Sequence, residues 1–389
     1  MFKLKILTFS GWYLPGYRGG GPIRTLANMV ERLGDEFGFK IVTSDRDSQD
    51  TKPYSGIMIN RWNNVGKAEV FYMSPNRRSL QHLRRIFCAT EYDVLYLNSF
   101  FSPYFTIKPL LLRRLRLIPD RPLVIAPRGE LSLGALGLKR LKKRVYIAVS
   151  KAFGLYQDVV WQASSEHEEV DIRNWFGNDV RVIIAPDLPP QVYESKDSTL
   201  KREKTKGVLN MVFLSRISRK KNLRGALEML KGLKGQVKFN IYGPIEDRAY
   251  WMECQKIISS LPENIKVQYY GEVEHGRVVD VMNEHDLFFL PTFGENFGHA
   301  ILEAFCSGCP VLVSDRTPWR GLEEKDIGWD LPLNQPELFR KALQTCVDMD
   351  NLKHMEWSKR TREYGFQVTK DNETVERNRS LLQGAIGEI

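Results

Sequence analysis

At 389 residues the chain is too long for one ordinary hydrophobic core, and two domains of nearly 200 residues each are expected. Hydrophobic residues make up 42% of the chain and charged residues 27%, and the mean hydropathy is −0.35. This composition is that of a soluble enzyme and excludes an integral membrane protein. The net charge of +10 comes from the first half, because residues 1–190 contain 28 Lys and Arg against 18 Asp and Glu, whereas the remainder contains 29 of each.

Short apolar runs alternate with helical stretches along both halves, which predicts parallel sheets covered on both faces by helices. The predicted strands of the first half are Leu4–Phe9, Lys40–Thr43, Val94–Asn98, Leu123–Ala126, Val159–Gln162 and Val180–Ile184. Those of the second half are Asn210–Leu214, Lys238–Tyr242, Val267–Tyr270, Leu287–Leu290 and Pro310–Ser314. The predicted fold class is α/β, with two Rossmann-like, doubly wound domains. Ligands of such sheets bind beyond the carboxyl ends of strands, so we expect the domains to face a central cleft.

A polar, charged segment separates the two halves. Residues 196–207 are almost free of apolar side chains, as expected for an exposed linker. The sequence therefore predicts an N-terminal domain over residues 1–195 and a C-terminal domain over residues 208–370. A last helix, within residues 371–389, is expected to cross back to the N-terminal domain.

Three consecutive glycines, Gly19–Gly21, follow the first strand and precede a helical pattern. Unshielded backbone N–H groups beside the positive end of a helix suit a diphosphate. The spacing is not that of the dinucleotide-binding fingerprint, and a plain flexible loop is the alternative.

Three basic clusters, residues 77–85, 113–121 and 139–144, supply much of the positive charge, and an apolar run, residues 145–149, follows the third. A solvated helix face would explain any single cluster. Three clusters in one domain favour an anionic partner, such as a membrane surface or a lipid-diphosphate acceptor.

The first strand of the second half leads into Arg216–Lys221, four cations in six residues. Fixed positive charge at a strand end would stabilise the negative charge that grows on a departing diphosphate, without a metal. A basic surface loop is the alternative.

The most informative segment is residues 288–304, where a buried strand ends at Leu290 and an apolar helix begins near Gly298. Glu295 lies in the turn and Glu303 about two helical turns later, so both carboxylates can face one polyhydroxylated ligand. A carboxylate receives paired sugar hydroxyls well. An unpaired charge at Glu303, in an otherwise apolar helix, would be costly, which disfavours a purely structural role.

With these motifs, essentially the whole chain resembles the retaining glycosyltransferases of family 4, which have the GT-B fold. The resemblance implies that Arg216 and Lys221 grip the donor diphosphate, that Glu295 lies at the donor sugar and that Glu303 binds the ribose. It implies donor contacts from a further set of residues: Gly20, Gly21, Val273, Asn296, Phe297 and Gly298. Such enzymes require no metal or other cofactor.

Two positions carry histidine in many family members but not here: Asn98 and Arg128. A guanidinium does not relay protons at neutral pH, but it could bind the acceptor or the leaving phosphate. Arg128 is therefore a candidate catalytic residue and Asn98 a candidate acceptor contact. His299, on the donor helix, is a candidate acceptor or donor contact, with a helix-face residue as the alternative.

The segments Arg128–Leu131, Gly294–His299 and Thr317–Trp319 resemble a subgroup that builds bacterial surface polysaccharides. The predicted function is retaining transfer of a hexosyl unit from a UDP- or GDP-sugar to a lipid-linked oligosaccharide or polysaccharide. The N-terminal domain would bind this acceptor and an anionic inner membrane surface, and no nucleic-acid module is recognisable. The alternatives are another GT-B enzyme, such as a sugar-nucleotide epimerase or phosphorylase, and a non-catalytic protein that binds nucleotide sugars or membranes.

Five scattered cysteines, an odd number, argue against a disulfide framework and for a reducing compartment. We therefore expect a cytoplasmic protein, peripheral at the cytoplasmic face of the inner membrane. Cys306 and Cys309 have the spacing of metal ligands, but no second Cys/His pair completes a set of four, and no metal site is predicted.

Overall fold

A computed structural model describes residues 3–132, 140–191 and 203–387 of the chain. The chain divides into two compact units: Met1–Gln191 together with Asp371–Ile389, and Val192–Lys370. Most of the predicted linker, residues 196–207, lies outside the described residues, as does Lys139 of the third basic cluster.

Strands and helices alternate through both units. The described strands are β1 Lys5–Phe9, β2 Gly38–Ser44, β3 Trp62–Val65, β4 Ala68–Met73, β5 Val94–Leu97, β6 Leu123–Ile125, β7 Val159–Ala163, β8 Val182–Ile184, β9 Val208–Leu214, β10 Gln236–Tyr242, β11 Ile265–Gly271, β12 Leu287–Leu290, β13 Val311–Ser314 and β14 Gly328–Leu331. The described α-helices are α1 Gly21–Leu33, α2 Leu80–Ala89, α3 Lys108–Arg114, α4 Arg140–Ala152, α5 Glu166–Phe176, α6 Leu223–Leu230, α7 Arg248–Ile258, α8 Val278–Asn283, α9 His299–Ser307, α10 Pro336–Asp348, α11 Asn351–Thr369 and α12 Asn372–Gly384.

The sheet of the first unit has the strand order β3-β4-β2-β1-β5-β6-β7-β8. Its pairs are parallel except β3 with β4. The chain leaves β1 towards β2 and later returns to the other side of β1 with β5, which makes β1 and β5 the switch point where ligands of such sheets bind. Ile6 and Leu7 of β1 are fully buried in different apolar clusters, so the strand is covered on both faces.

The sheet of the second unit is parallel throughout, with the strand order β11-β10-β9-β12-β13-β14. One continuous apolar cluster holds the buried residues of its strands and covering helices. The loops that follow β9, β10 and β12 therefore lie side by side at one edge. Both sheets confirm the predicted Rossmann-like, doubly wound α/β architecture.

Three strands, β3, β4 and β14, were not predicted, although β4 contains an apolar run at residues 70–73. β3 and β4 form a hairpin whose two-residue turn begins at Gly66, where φ is +56°. β3 contains two asparagines and is an edge strand, while β14 has the sequence Gly-Trp-Asp-Leu. Pairing with an already formed neighbour decides such strands.

Helix α12 packs within the first unit. Arg379 forms two hydrogen bonds to Glu36, of 2.6 and 2.7 Å, and Asn378 Nδ2 donates to the Pro186 carbonyl at 2.8 Å. Leu381 and Leu382 are fully buried in the apolar cluster that contains Ile6. Helix α12 is thus part of the core of the first unit.

No helix among the described residues combines the length and the apolar character required to span a membrane.

Candidate functional site

The turn between β12 and α9 is built for close approach of the backbone. Gly298 precedes the first helical residue with φ +81° and ψ +62°, a left-handed conformation that favours glycine. A Cβ atom at this position would lie 2.8 Å from Ile301 Cδ1. The turn therefore presents the N-terminal N–H groups of α9, where the helix dipole favours an anion.

Glu295, in this turn, forms an ion pair with Lys221, which lies beyond the end of β9. Both side chains are only 12% exposed. Burial by itself would raise the pKa of Glu295, but the positive charges of Lys221, Lys220 and Arg216 outweigh that effect and lower it. Glu295 is therefore ionised at neutral pH.

Hydrogen bonds to backbone carbonyls hold the loops after β9 and β12 together. The Lys220 carbonyl accepts hydrogen bonds from Phe293 N at 2.8 Å and from Thr292 Oγ1 at 3.1 Å. Asn222, with φ +57°, donates from Nδ2 to the Pro291 carbonyl at 2.9 Å. The Lys221–Glu295 pair thus rests on a fixed framework.

Arg216 faces the neighbouring loop, after β10, and forms an ion pair of 2.8 Å with Glu246. The two side chains are 39% and 42% exposed. Exposed pairs of this kind contribute about 0–1 kcal/mol, so the guanidinium can exchange this partner at small cost.

Helix α9 and the turn before it position four further predicted site residues: Asn296, Phe297, His299 and Glu303. Half-buried Glu303 lies one helical turn after His299, on the same side of the helix, and the His299 ring lies 4.8 Å from that of Phe297 between centroids. Asn296 Nδ2 is buried and has no hydrogen-bond partner among the described residues. A buried amide donor of this kind is available to a ligand oxygen.

Trp319 supports this turn from the loop after β13. Its Nε1 donates to the Phe297 carbonyl at 2.5 Å, and its ring lies 5.4 Å from that of Phe297. The backbone N–H of Glu295 donates to the Arg316 carbonyl at 3.0 Å. Glu246, Asn222 and Trp319 were not predicted as site residues, although Trp319 belongs to the Thr-Pro-Trp motif noted in the sequence.

Val273 follows the end of β11, where Gly271 has φ +80°. The Gly271 carbonyl accepts a hydrogen bond from Gly243 N at 2.8 Å, and Val273 packs, partly buried, against the core of the second unit. Val273, predicted as a donor contact, therefore lies at the same sheet edge as Arg216.

In the first unit, Gly20 and Gly21 form the start of α1. Gly20 has φ +71° and its carbonyl accepts from Ile23 N at 3.1 Å. Just before them, the N–H groups of Tyr17 and Arg18 donate to Asp47 Oδ2 at 2.7 and 3.0 Å. The glycine loop is thus held in place by a carboxylate at the end of β2.

Arg128 lies inside the first unit, with its side chain only 4% exposed. Its Nε donates to Asn98 Oδ1 at 2.8 Å, its Nη1 forms an ion pair with Asp187, and its Nη2 donates to Tyr96 Oη at 2.6 Å. Burial alone would lower the pKa of Arg128, but the negative charge of Asp187 outweighs it and raises that pKa.

Asn98 links this cluster to the glycine loop. Its Nδ2 donates to the Pro22 carbonyl at 3.2 Å and to Ser10 Oγ at 3.3 Å, and Thr25 of α1 donates to Asp187 Oδ2 at 2.9 Å. The structure therefore brings Asn98 and Arg128 together, behind the start of α1. Asp187 carries no sequence signal that would have identified it as their partner.

Within the ranges that the structure describes, no three acidic, histidine or cysteine side chains gather closely enough to hold a metal ion.

Comparison with known proteins finds a family match within the second unit. Residues 195–364 match the model of the family "Glycosyl transferases group 1". A protein in the cps region of Klebsiella pneumoniae, of 41.2 kDa, is 23% identical over 233 residues, which are 58% of this chain and 61% of that relative. The chain thus matches less than two thirds of that relative's length.

Two solved structures share the fold over the full chain. The sucrose-phosphate synthase of Thermosynechococcus elongatus superposes with a TM-score of 0.71 at 14% identity, covering 100% of both chains. Anabaena HepE, in complex with UDP-glucose, superposes with a TM-score of 0.65 at 18% identity, covering 98% of this chain and 99% of that one. The fold is therefore GT-B.

Proposed function

We propose that this chain is a retaining, metal-independent hexosyltransferase, a proposal supported by the match of residues 195–364 to the family "Glycosyl transferases group 1". Its donor is a UDP- or GDP-sugar, and its acceptor is a lipid-linked oligosaccharide or polysaccharide. The observation that carries the proposal is the buried pair of Glu295 and Lys221, at the carboxyl ends of β12 and β9, with Lys220 and Arg216 in range to lower the pKa of Glu295.

Arg216 and Lys221 bind the donor diphosphate. A diphosphate is an oxyanion that two cations on one sheet edge can hold through charge-assisted hydrogen bonds. It competes with Glu246 for Arg216, and the partial exposure of that pair makes the exchange inexpensive. The N-terminus of α9 supplies further positive potential for the same group.

Glu295 accepts hydrogen bonds from hydroxyls of the donor sugar, and Glu303 accepts those of the ribose. Asn296 Nδ2, buried and without a partner in the described part of the chain, fits a ligand oxygen. The backbone at Phe297 and Gly298 approaches the sugar and phosphate. Val273 meets the base.

In the proposed reaction, the acceptor hydroxyl oxygen attacks the anomeric carbon on the face from which the diphosphate departs. The bond between the anomeric carbon and the phosphate oxygen breaks, and the departing phosphate takes the hydroxyl proton. Arg216 and Lys221 stabilise the charge that develops on the phosphate. Glu295 is ionised and contacts Lys221, which suits a group that orients the sugar and does not suit a proton donor.

The first unit supplies the acceptor side. Gly20 and Gly21 approach the donor phosphate, and Asn98 and Arg128 act on the acceptor or the leaving phosphate. Because Arg128 contacts Asn98, and Asn98 contacts the Pro22 carbonyl, both side chains also hold the loop that carries the two glycines. His299 is a further contact for donor or acceptor.

The relatives support the choice of substrates. HepE was crystallised with UDP-glucose, which favours a UDP-sugar donor, and the Klebsiella relative lies in a cps region, which favours surface-polysaccharide synthesis. With a lipid-linked acceptor, the protein works as a peripheral protein at the cytoplasmic face of an anionic inner membrane.

A direct test incubates the purified protein with UDP- and GDP-sugars, with and without lipid-linked oligosaccharide, and with EDTA in a parallel series. We expect release of nucleoside diphosphate that depends on the acceptor and not on a metal, and NMR of the product should show the anomeric configuration of the donor. Glu228, an exposed carboxylate paired with Lys231 in the same unit, provides the matched control Glu228→Gln for Glu295→Gln.

Other outcomes identify the alternatives. Donor turnover that needs water or inorganic phosphate in place of the acceptor would indicate an epimerase or phosphorylase. Donor binding with no turnover under any condition would indicate a binding protein.

A further inference from the structure

Helix α4 carries a row of apolar side chains on its solvent-exposed side. Leu141, Val145, Val149 and, just beyond the helix, Phe153 are spaced four residues apart and are 76%, 54%, 49% and 68% exposed. At about 100° per residue, such a row runs along one side of the helix. A row of this kind normally packs against a core.

The opposite side of α4 is firmly packed. Ile147 is buried, and the Tyr146 ring lies 5.9 Å from that of Phe100 and 5.8 Å from that of Phe101 between centroids. Tyr156 Oη donates to Tyr146 Oη at 3.0 Å. The exposed row therefore cannot turn inward without breaking these contacts.

The end of α3 extends the exposed apolar surface. Arg114 Nε donates to the Phe153 carbonyl at 2.8 Å, which brings this end of the helix to the end of α4. Leu115 and Leu117, directly after α3, are 55% and 39% exposed. We define the α3–α4 face by six residues: Leu115, Leu117, Leu141, Val145, Val149 and Phe153.

The surroundings of this face are strongly basic. Residues 140–153 contain five Lys and Arg and no Asp or Glu, and residues 108–118 contain four and none. Lys142 and Arg144, beside the row on α4, are exposed. The two segments that carry the face thus combine exposed apolar side chains with charges of one sign.

We propose that the α3–α4 face docks onto a membrane surface rich in anionic lipids. The apolar row enters the boundary between headgroups and acyl chains, and the flanking cations lie among the phosphates. A second copy of the chain fits less well, because a two-fold contact through the same face would bring like charges together. The proposal rests on the proposed function only in its reason for membrane contact, which is a lipid-linked acceptor.

Vesicle flotation of the full chain tests the proposal. We expect binding to vesicles that contain phosphatidylglycerol, weaker binding at higher salt, and little binding to pure phosphatidylcholine. Val145→Ser/Val149→Ser, Phe153→Ser and Lys142→Gln/Arg144→Gln should each lower the vesicle partition coefficient about tenfold or more.

Matched controls come from exposed side chains of the second unit. Leu352 is 79% exposed and the Lys359 side chain 78%, so Leu352→Ser and Lys359→Gln change polarity and charge elsewhere on the protein. Both should bind vesicles as the unchanged chain does. All substituted positions on α4 and Phe153 just beyond it are exposed. An unaltered melting temperature will verify that the variants fold.

Three outcomes would overturn the proposal: no preference for anionic vesicles, unchanged binding of folded α4 variants, or loss of a dimer in those variants, which would assign the face to a second copy. Donor-dependent thermal stabilisation without vesicles reports separately on the proposed function. Vesicle binding without any donor effect would refute only the proposed function, and a donor effect without vesicle binding would refute only the membrane site.

Discussion

Glu295 and Lys221 lie 74 residues apart in the chain and contact each other in the folded unit. From sequence they were assigned separate ligands, the sugar and the diphosphate. Their contact means that each charge fixes the other before any ligand binds. The cations around Glu295 also keep its carboxylate ionised despite its burial, which suits a hydrogen-bond acceptor for sugar hydroxyls.

Replacing Glu295 by Gln should reduce kcat/KM for the nucleotide sugar about tenfold or more, because a neutral amide binds hydroxyls less strongly and releases Lys221. Glu303→Ala should have a comparable effect through the ribose. Steady-state kinetics on both variants, with Glu228→Gln as control, provide the measurement. Unchanged transfer by a purified Glu295→Gln/Glu303→Ala double variant would refute both assignments.

The lowered pKa of Glu295 predicts how stability depends on pH. A carboxyl whose pKa is lower in the folded than in the unfolded state stabilises the fold above its ordinary value of 4.5, and this contribution is lost as pH falls through the folded value. The difference in free energy of unfolding between the unchanged chain and Glu295→Gln should therefore be constant near neutral pH and shift against the unchanged chain in acid. Urea denaturation across this range measures it, and a shift in the opposite direction would contradict the sign.

Arg128→Met should destabilise the first unit by about 3–5 kcal/mol, because it leaves Asp187 buried without its ionic partner. Adding Asp187→Asn should recover part of that loss. Urea denaturation gives the free energies, with the exposed Arg121→Met as control. A loss no larger than that of the control would mean that the buried pair contributes nothing to the fold.

Helix α9 and its preceding turn form the element that gives the second unit its site. The turn is anchored on three sides, by the Lys220 carbonyl, the Arg316 carbonyl and the Trp319 side chain. Each anchor comes from a loop at the carboxyl end of a neighbouring strand. The element therefore depends on the order of strands in the sheet as well as on its own sequence.

Gly298→Ala should destabilise the second unit by about 1–2 kcal/mol, since alanine is strained at φ +81° and its Cβ would lie 2.8 Å from Ile301 Cδ1. It should also weaken donor binding, because the N-terminus of α9 must move. Thermal unfolding and donor titration measure the two effects. Gly276, with open space around its Cβ position, provides the control Gly276→Ala. Equal behaviour of the two variants would show that the turn tolerates a side chain.

The chain forms a doubly wound sheet in each unit and returns from the second unit to the first with α12. This arrangement makes the first unit depend on both ends of the described chain, through Ile6 and Leu381 in one apolar cluster. The comparisons assign the GT-B fold to the full length and the glycosyl transferase family to residues 195–364.

A bound donor should stabilise the molecule. At 100 times its Kd, a single ligand adds about 2.7 kcal/mol, which corresponds to a rise in melting temperature of roughly 5–10 °C for a unit of this size. Thermal-shift measurements against a panel of nucleoside-diphosphate sugars will identify the donor. Lys221→Met should abolish the shift and Lys359→Met should retain it; absence of a shift with every sugar would count against the proposed function.

The sequence alone determined the elements whose residues carry their own signal. Buried strands such as β1 and β12 are continuous apolar runs, and the turn before α9 is marked by Gly298 and the two glutamates, so fold class and candidate donor residues followed from local pattern and family resemblance. The edge strand β3, with two asparagines among its four residues, carries no such signal.

Only the tertiary structure decided the partners of the charges. The sequence predicted a ligand role for Arg128 but not its partners, which in the fold are Asn98, Tyr96 and Asp187. The pairing of Arg216 with Glu246 was likewise not predicted. The same holds for the α3–α4 face, because a helical row of apolar residues does not reveal from sequence whether it points to the core or to solvent. Local propensity is set by neighbours in the chain, but ion pairs and exposure depend on which loops the sheet order brings together in space.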